Sequence, residues 1–410
     1  MASQNREIER KFASLVVRTI LVITYLVILK NFAHFVAVES FIEFIILGLE
    51  WILFAGLLID LFFFKAGHRL LKWFLVFVAV KILYYVLVEG ALNFQKGILL
   101  LILLIVFCLE SEYLVVEFKT VFKRHYIPIV ILVLVSVVPF YGWYNRYDEV
   151  MAETKMFDVQ RYAGLWDLPH ALAYYVFVLM VLSEKYRGMV WVLGTSILIA
   201  TGVRSAIIAV AMYGILRMLM DSQLRKTIVH WTIPAAVIAV LLLTTSIGGF
   251  LGGQVEYHFN PLVEGDVEDV QYGAGRVGFA LILFDQLSRF TVPDFLLGKS
   301  ATELYRAYYD VLGLQSWPHD DFLTVIYLYG IIGIGMYLWY VYVFPLKTFA
   351  KVSLRFVVPF VISISILAVT NGFYTYRAAY LFVLALATVP RELANRQSKM
   401  AGYDRSNIPL

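Results

Sequence analysis

The chain has 410 residues, 61% of them hydrophobic and 16% charged, with a formal charge of +4 and one cysteine. Soluble domains carry about 45–50% apolar and about 25% charged residues, so an ordinary soluble protein is excluded and no nucleic-acid partner is expected. Cys108, inside the apolar run Ile98–Leu109, is alone, which excludes an internal disulfide framework and a cysteine metal site.

In chain order, the polar start Met1–Lys11 runs into Leu15–Leu29 and then Lys30-Asn31-Phe32, with no small-residue cleavage site, so an uncleaved first span is expected. Twelve apolar blocks lie at 13–30, 41–64, 70–88, 97–116, 126–142, 169–183, 188–201, 204–220, 228–246, 322–345, 353–371 and 374–390. Each approaches the ~20 residues that cross ~30 Å of hydrocarbon as a helix. The expected fold is an all-α polytopic membrane protein. Residues 1–246 hold nine spans with an external loop at 143–168, 247–321 form a large helical periplasmic loop, 322–390 hold three spans, and 391–410 are a cytoplasmic tail.

Connections rich in basic residues alternate with poor ones. The rich set includes Arg6, Arg10 and Lys11, then Lys65, Arg69 and Lys72, then Lys119, Lys123 and Arg124, and ends with Arg391, Arg396 and Lys399. By the positive-inside rule that set is cytoplasmic, which puts both termini inside and Lys30, Lys96, Arg204 and Arg377 outside. Within the large external loop, Val277–Leu287 and Leu304–Leu312 carry helical apolar periodicity, so the loop is expected to fold on the membrane surface. No internal repeat relates the two halves, which counts against the commonest transporter architectures.

Three basic residues on the external side stand out. Arg276 follows Tyr272-Gly273-Ala274-Gly275 and opens a helix-like stretch; a guanidinium there, with free helix N–H groups and glycines permitting close approach, suits a shared anion. It also reads as a surface arginine. Arg204, at the tip Gly202-Val203-Arg204-Ser205, is either a functional cation at membrane depth or a residue snorkelling to headgroups. His319, in Trp317-Pro318-His319-Asp320-Asp321, reads as a general base oriented by a neighbouring acid or as an interfacial histidine. The acidic run Glu264, Asp266, Glu268 and Asp269 reads as a solvated loop or as a hard-cation site. Glu50 and Lys81 both fall near mid-depth of their spans and are expected to pair.

The segments Arg161-Tyr162-Ala163-Gly164 through Pro169-His170, Thr201–Ser205, Gly275-Arg276, and Pro318–Leu323 followed by Tyr329-Gly330-Ile331-Ile332-Gly333 occur in this order on one face. In that order they resemble the motifs of the bacterial O-antigen ligase and O-antigen polymerase family. His170 and Asp320 stand where that family has asparagine. The resemblance implies a glycosyltransferase C-like fold in the bacterial inner membrane and a metal-independent, cofactor-free transferase of lipopolysaccharide or exopolysaccharide biosynthesis. The donor would be a glycan on undecaprenyl diphosphate, and the acceptor another lipid-linked repeat unit (polymerase) or lipid A-core (ligase). A flippase and a chain-length regulator are the implied protein partners. His319 would then activate the acceptor hydroxyl, Arg204 and Arg276 would stabilise the leaving diphosphate, and Arg161, Arg377 and Asp320 would assist binding. A transporter of polysaccharide or lipid-linked sugar is the competing class, with Glu50 and Lys81 as its support.

Overall fold

The computed structural model describes residues 2–33, 38–65, 67–89, 96–137, 165–166, 168–183, 187–220, 276–312, 320–350 and 354–400. All regular structure among them is helical. The helices are α1 (Ala2–Ala33), α2 (Glu39–Phe64), α3 (Arg69–Glu89), α4 (Lys96–Glu110), α5 (Leu114–Val137), α6 (Pro169–Leu182), α7 (Arg187–Thr201), α8 (Arg204–Met220), α9 (Arg276–Ser288), α10 (Val292–Leu297), α11 (Ala301–Leu312), α12 (Asp321–Leu338), α13 (Phe344–Phe349), α14 (Leu354–Asn371) and α15 (Ala378–Met400). A π-helical segment, Trp339–Val343, joins the end of α12 to α13 without a loop. Among the described residues, four stretches are long and apolar enough to cross a membrane: Arg6–Phe32, Glu39–Phe64, Leu114–Val137 and Asp321–Phe349.

Two short helices and the first half of a long one occupy the interior. In α4 every residue from Ile98 to Leu109 is buried, and α6 and the first half of α15 are buried almost throughout. A helix apolar on all sides must be jacketed by other helices. At ~1.5 Å per residue these elements need not match the bilayer, because protein and not lipid surrounds them. Cys108 lies in this core, fully buried. By contrast α2 and α3 turn large apolar side chains outward, among them Phe44, Ile52, Phe63, Leu70, Trp73 and Leu87. An apolar jacket this extensive is the mark of a surface that meets lipid.

Ring contacts fix helix directions. Tyr213 meets Phe360, and Arg217 lies over the Phe356 ring, while the Ser363 hydroxyl donates to the Ala209 carbonyl at 3.2 Å. Rising numbers in α8 thus meet falling numbers in α14, so the two are antiparallel and the start of α8 lies beside the end of α14. Side-chain ion pairs between helices divide into two groups. One joins Lys30, Glu39, Glu43, Glu50, Lys96 and Arg377. The other joins Arg10 to Glu117, Lys65 and His68 to Glu110, and Lys119 and Lys123 to Glu392. These are the basic-poor and basic-rich ends of the sequence pattern, and no described ion pair mixes them.

Helix α12 is broken. Gly330 sits at φ 64° and ψ −162°, a region open essentially to glycine alone. Gly298, closing α10 at φ 72° and ψ 176°, packs against the break. A Cβ on Gly330 would lie 2.3 Å from the Leu296 carbonyl oxygen, and one on Gly298 would lie 2.4 Å from the Leu328 carbonyl carbon. Gly330 is nine residues into α12, so the tip of α10 reaches ~13 Å along that helix from its start.

Candidate functional site

The six-residue turn 372–377, between α14 and α15, contacts two of the singled-out motif segments, at His170 and at Asp321. Gly372 opens it at φ 72°, a left-handed conformation that a side chain would strain. Asp321, the first residue of α12 and fully buried, holds the turn from below: its Oδ2 accepts the N–H groups of Phe373 at 2.9 Å and Tyr374 at 3.4 Å, and the Tyr337 hydroxyl at 3.1 Å. Its other oxygen, Oδ1, has no hydrogen-bond partner and faces the bare α-carbon of Gly372, where a Cβ would stand 3.1 Å away. A buried carboxylate oxygen without a partner is costly, and such exceptions concentrate at functional sites.

Asp320 does different work from its neighbour. Its Oδ1 accepts the Leu323 N–H at 2.8 Å, capping α12. Burial pushes its carboxyl above the ordinary aspartate range, against the opposing pull of the Leu323 and Phe322 N–H groups. His319 precedes this cap directly but lies outside the described residues, as do Arg161 and the acidic run at 264–269.

His170, in the first turn of α6, places its ring 6.4 Å from that of Tyr376 in the same turn. Tyr174, one helical turn on, contacts both Tyr376 and Phe373 with ring centroids at 4.7 and 6.0 Å. Arg204 opens α8 after a tight reversal in which Gly202 takes φ 60° and Thr201 Oγ1 bonds the Leu198 carbonyl at 2.7 Å. The antiparallel packing on α14 puts Arg204 at the end that leads into the 372–377 turn. Arg276 opens α9 as the sequence pattern predicts; its side chain is outside the described set. Helix α9 leads into Phe290, whose ring meets Tyr327 of α12 at 5.3 Å.

Arg377 closes the turn and is engaged on every side. Its Nε donates to Glu50 Oε1 at 2.7 Å, Nη1 to Glu43 Oε2 at 3.0 Å, and Nη2 to Glu43 Oε1. Glu50, 3% exposed, also accepts the Tyr380 hydroxyl at 3.1 Å and pairs with Lys96 at 2.7 Å. Lys30 joins through Glu43 at 3.2 Å and Glu39 at 3.4 Å. Three cations thus face three carboxylates, with Nε, Nη1 and Nη2 of Arg377 all bonded to Glu43 and Glu50. Beside this network a cleft of about 360 Å³ is lined by Lys30, Glu39, Ser40, Glu43, Phe44 and Leu47.

The expected pairing of Glu50 with Lys81 is incorrect. Glu50 binds Arg377 and Lys96, whereas the Lys81 ammonium donates to backbone carbonyls of Leu297, Lys299 and Leu328. Equal depth along two spans does not make two residues lateral neighbours. Sequence reasoning also passed over Glu43, and treated Asp321 only as an adjunct to His319. An acidic pair seven residues apart on one helix, Glu43 and Glu50, was the available signal, since both fall on one face.

Among the described residues no group of three histidine, cysteine or acidic side chains is placed to hold a metal ion. No protein-family model matches the sequence, and no curated protein matches it. Function follows here from the chemistry of the site and not from kinship.

Proposed function

We propose that this protein is a membrane glycosyltransferase that polymerises lipid-linked repeat units on the outer face of the bacterial inner membrane. The single observation that carries the reading is the 372–377 turn. It contacts two of the four motif segments, at His170 and at Asp321, and the antiparallel packing of α8 on α14 directs the start of α8, with Arg204, toward the same basic-poor end of the bundle. In this reading a hydroxyl of the acceptor glycan attacks the anomeric carbon of the donor sugar. The bond from that carbon to the diphosphate oxygen breaks, undecaprenyl diphosphate departs with the bonding pair, and the hydroxyl proton passes to His319. Arg204 and Arg276 stabilise the charge that grows on the leaving diphosphate; arginine's fork matches phosphate oxygens. Asp321, two positions after His319 in sequence, anchors the start of α12 to the turn. Arg377 orders the turn through Glu43 and Glu50.

Deleting the gene in its host and resolving surface glycans on a gel tests this. Loss of the long-chain ladder with single-unit product retained supports a polymerase. Loss of every lipid A-core-capped form, with lipid-linked polymer accumulating, assigns the protein to the ligases instead.

One observation favours a second reading, transport. A helix broken at membrane depth, with freed carbonyls meeting a cation, is how discontinuous transporter helices bind ions. The Gly330 break and Lys81 have that form. Retained glycan pattern in the deletion strain, together with loss of uptake or export of a lipid-linked sugar, would move the assignment there.

A further inference from the structure

The surroundings of Lys81 are those of a bound cation. Its ammonium takes the Leu297 carbonyl at 2.7 Å, the Leu328 carbonyl at 2.5 Å and the Lys299 carbonyl at 3.3 Å, and lies 5.8 Å from the centre of the Tyr329 ring. Asp294 and Glu303 stand close enough to add a favourable field. Each of these carbonyls is free for a structural reason. Leu297 and Lys299 flank the end of α10, where helix carbonyls run out of N–H partners and the dipole is negative. The Leu328 carbonyl loses its place in the helical ladder because Gly330 turns the chain aside. The neighbouring Tyr327 carbonyl is taken instead by the Lys299 N–H at 2.7 Å. Backbone oxygens at this depth cannot be left to lipid.

We propose that the carbonyls of Leu297, Lys299 and Leu328 form a site for a small monovalent cation, that the Lys81 ammonium is its resident ion, and that this ion holds the 276–312 segment against α12. Rings of carbonyls replace the hydration shell of alkali ions in the same way. The side chain of α3 therefore supplies in covalent form what a free ion supplies elsewhere. The inference rests on this geometry and is independent of the transferase reading.

The test uses purified full-length protein in nanodiscs, with hydrogen exchange of residues 292–312 and the thermal midpoint as readouts. Lys81→Met, which keeps length without charge, is expected to lose protection about tenfold or more, the loss of one or more charge-assisted hydrogen bonds. Lys81→Ala empties the site; its protection is expected to return in sodium chloride or methylammonium chloride and not in choline chloride, whose cation is too large. Lys81→Arg keeps the charge and is expected to stay closer to wild type than Lys81→Met does. Equal behaviour of the Met and Arg variants would overturn the proposal. So would a Lys81→Ala protein that loses protection and regains none with either small cation, or one that loses none at all. Should Lys81→Ala not yield folded protein, the Met–Arg comparison decides.

Discussion

Replacing Glu50 by glutamine leaves shape almost unchanged and removes one buried negative charge. Its two carboxylate oxygens serve Arg377 at 2.7 Å, Tyr380 at 3.1 Å and Lys96 at 2.7 Å. Removing one partner of a buried ion pair costs ~3–5 kcal/mol, chiefly because the other charge is stranded. Here the two stranded groups differ: the Arg377 side chain is 21% exposed and Glu43 still holds two nitrogens of the guanidinium, whereas the ammonium nitrogen of Lys96 is buried. A loss of ~3–5 kcal/mol is therefore expected for Glu50→Gln, about a hundredfold or more in the folded-to-unfolded ratio. A double-mutant cycle assigns the loss to its source. Glu50→Gln with Arg377→Gln should show a coupling of ~1–2 kcal/mol, and Glu50→Gln with Lys81→Met a coupling within ~0.5 kcal/mol of zero, since those two share no partner. Denaturant titration of the purified variants measures both. A Glu50→Gln protein as stable as wild type, or coupling to Lys81 in place of Arg377, would refute the reasoning.

Gly330→Ala forces a side chain into a conformation costing ~1–3 kcal/mol and drives a methyl into the Leu296 carbonyl, 2.3 Å away, which must separate α10 from α12 and release the Lys81 contacts; a loss of ~4 kcal/mol or more is expected by denaturant titration. Gly335→Ala is the control: nothing stands within 4 Å of its Cβ, so a change within ~0.5 kcal/mol is expected. Asp320→Asn keeps an equivalent helix cap and should preserve abundance, whereas Asp320→Ala should cost ~1 kcal/mol. Because burial raises the Asp320 carboxyl, the folded state holds its proton more tightly than the unfolded chain. Its contribution is therefore fully present below the ordinary value of about 4 and lost as pH rises through the folded pKa. Thermal midpoints measured across that range should fall less steeply in Asp320→Asn than in wild type.

Much of the helical layout is legible in the sequence because lipid imposes a strong and simple pattern. The apolar blocks at 41–64 and 70–88 coincide with α2 and α3 within a residue or two, the break at Gly202 stands where the apolar run divides, and the periodic stretches Val277–Leu287 and Leu304–Leu312 fall in α9 and α11. The block at 97–116 is less simple. Its helix ends at Glu110, and Leu114 starts a new one that carries the basic residues Lys119, Lys123 and Arg124. Lateral neighbours were not legible. Hydropathy gives depth along a span and not which helix lies alongside, so Glu50 was matched to Lys81 at similar depth instead of to Arg377, 327 positions away. The break in α12 was hidden for a related reason. Gly330, Gly333 and Gly335 look alike in a run of apolar residues, and only the close approach of α10 distinguishes the first. Asp320 and Asp321 likewise read as an equivalent pair, yet the first is half-buried and caps α12, and the second is fully buried and accepts N–H groups of the 372–377 turn.

The most direct measurement is a reconstitution: purified protein in liposomes, given a lipid-linked oligosaccharide repeat unit on undecaprenyl diphosphate, with chain length and free undecaprenyl diphosphate followed together. The account predicts longer glycans and a stoichiometric release of undecaprenyl diphosphate, both abolished by His319→Ala and by Arg204→Ala at unchanged thermal midpoint. Glycans that stay at one repeat unit with no diphosphate released, or full activity in both variants, would contradict it.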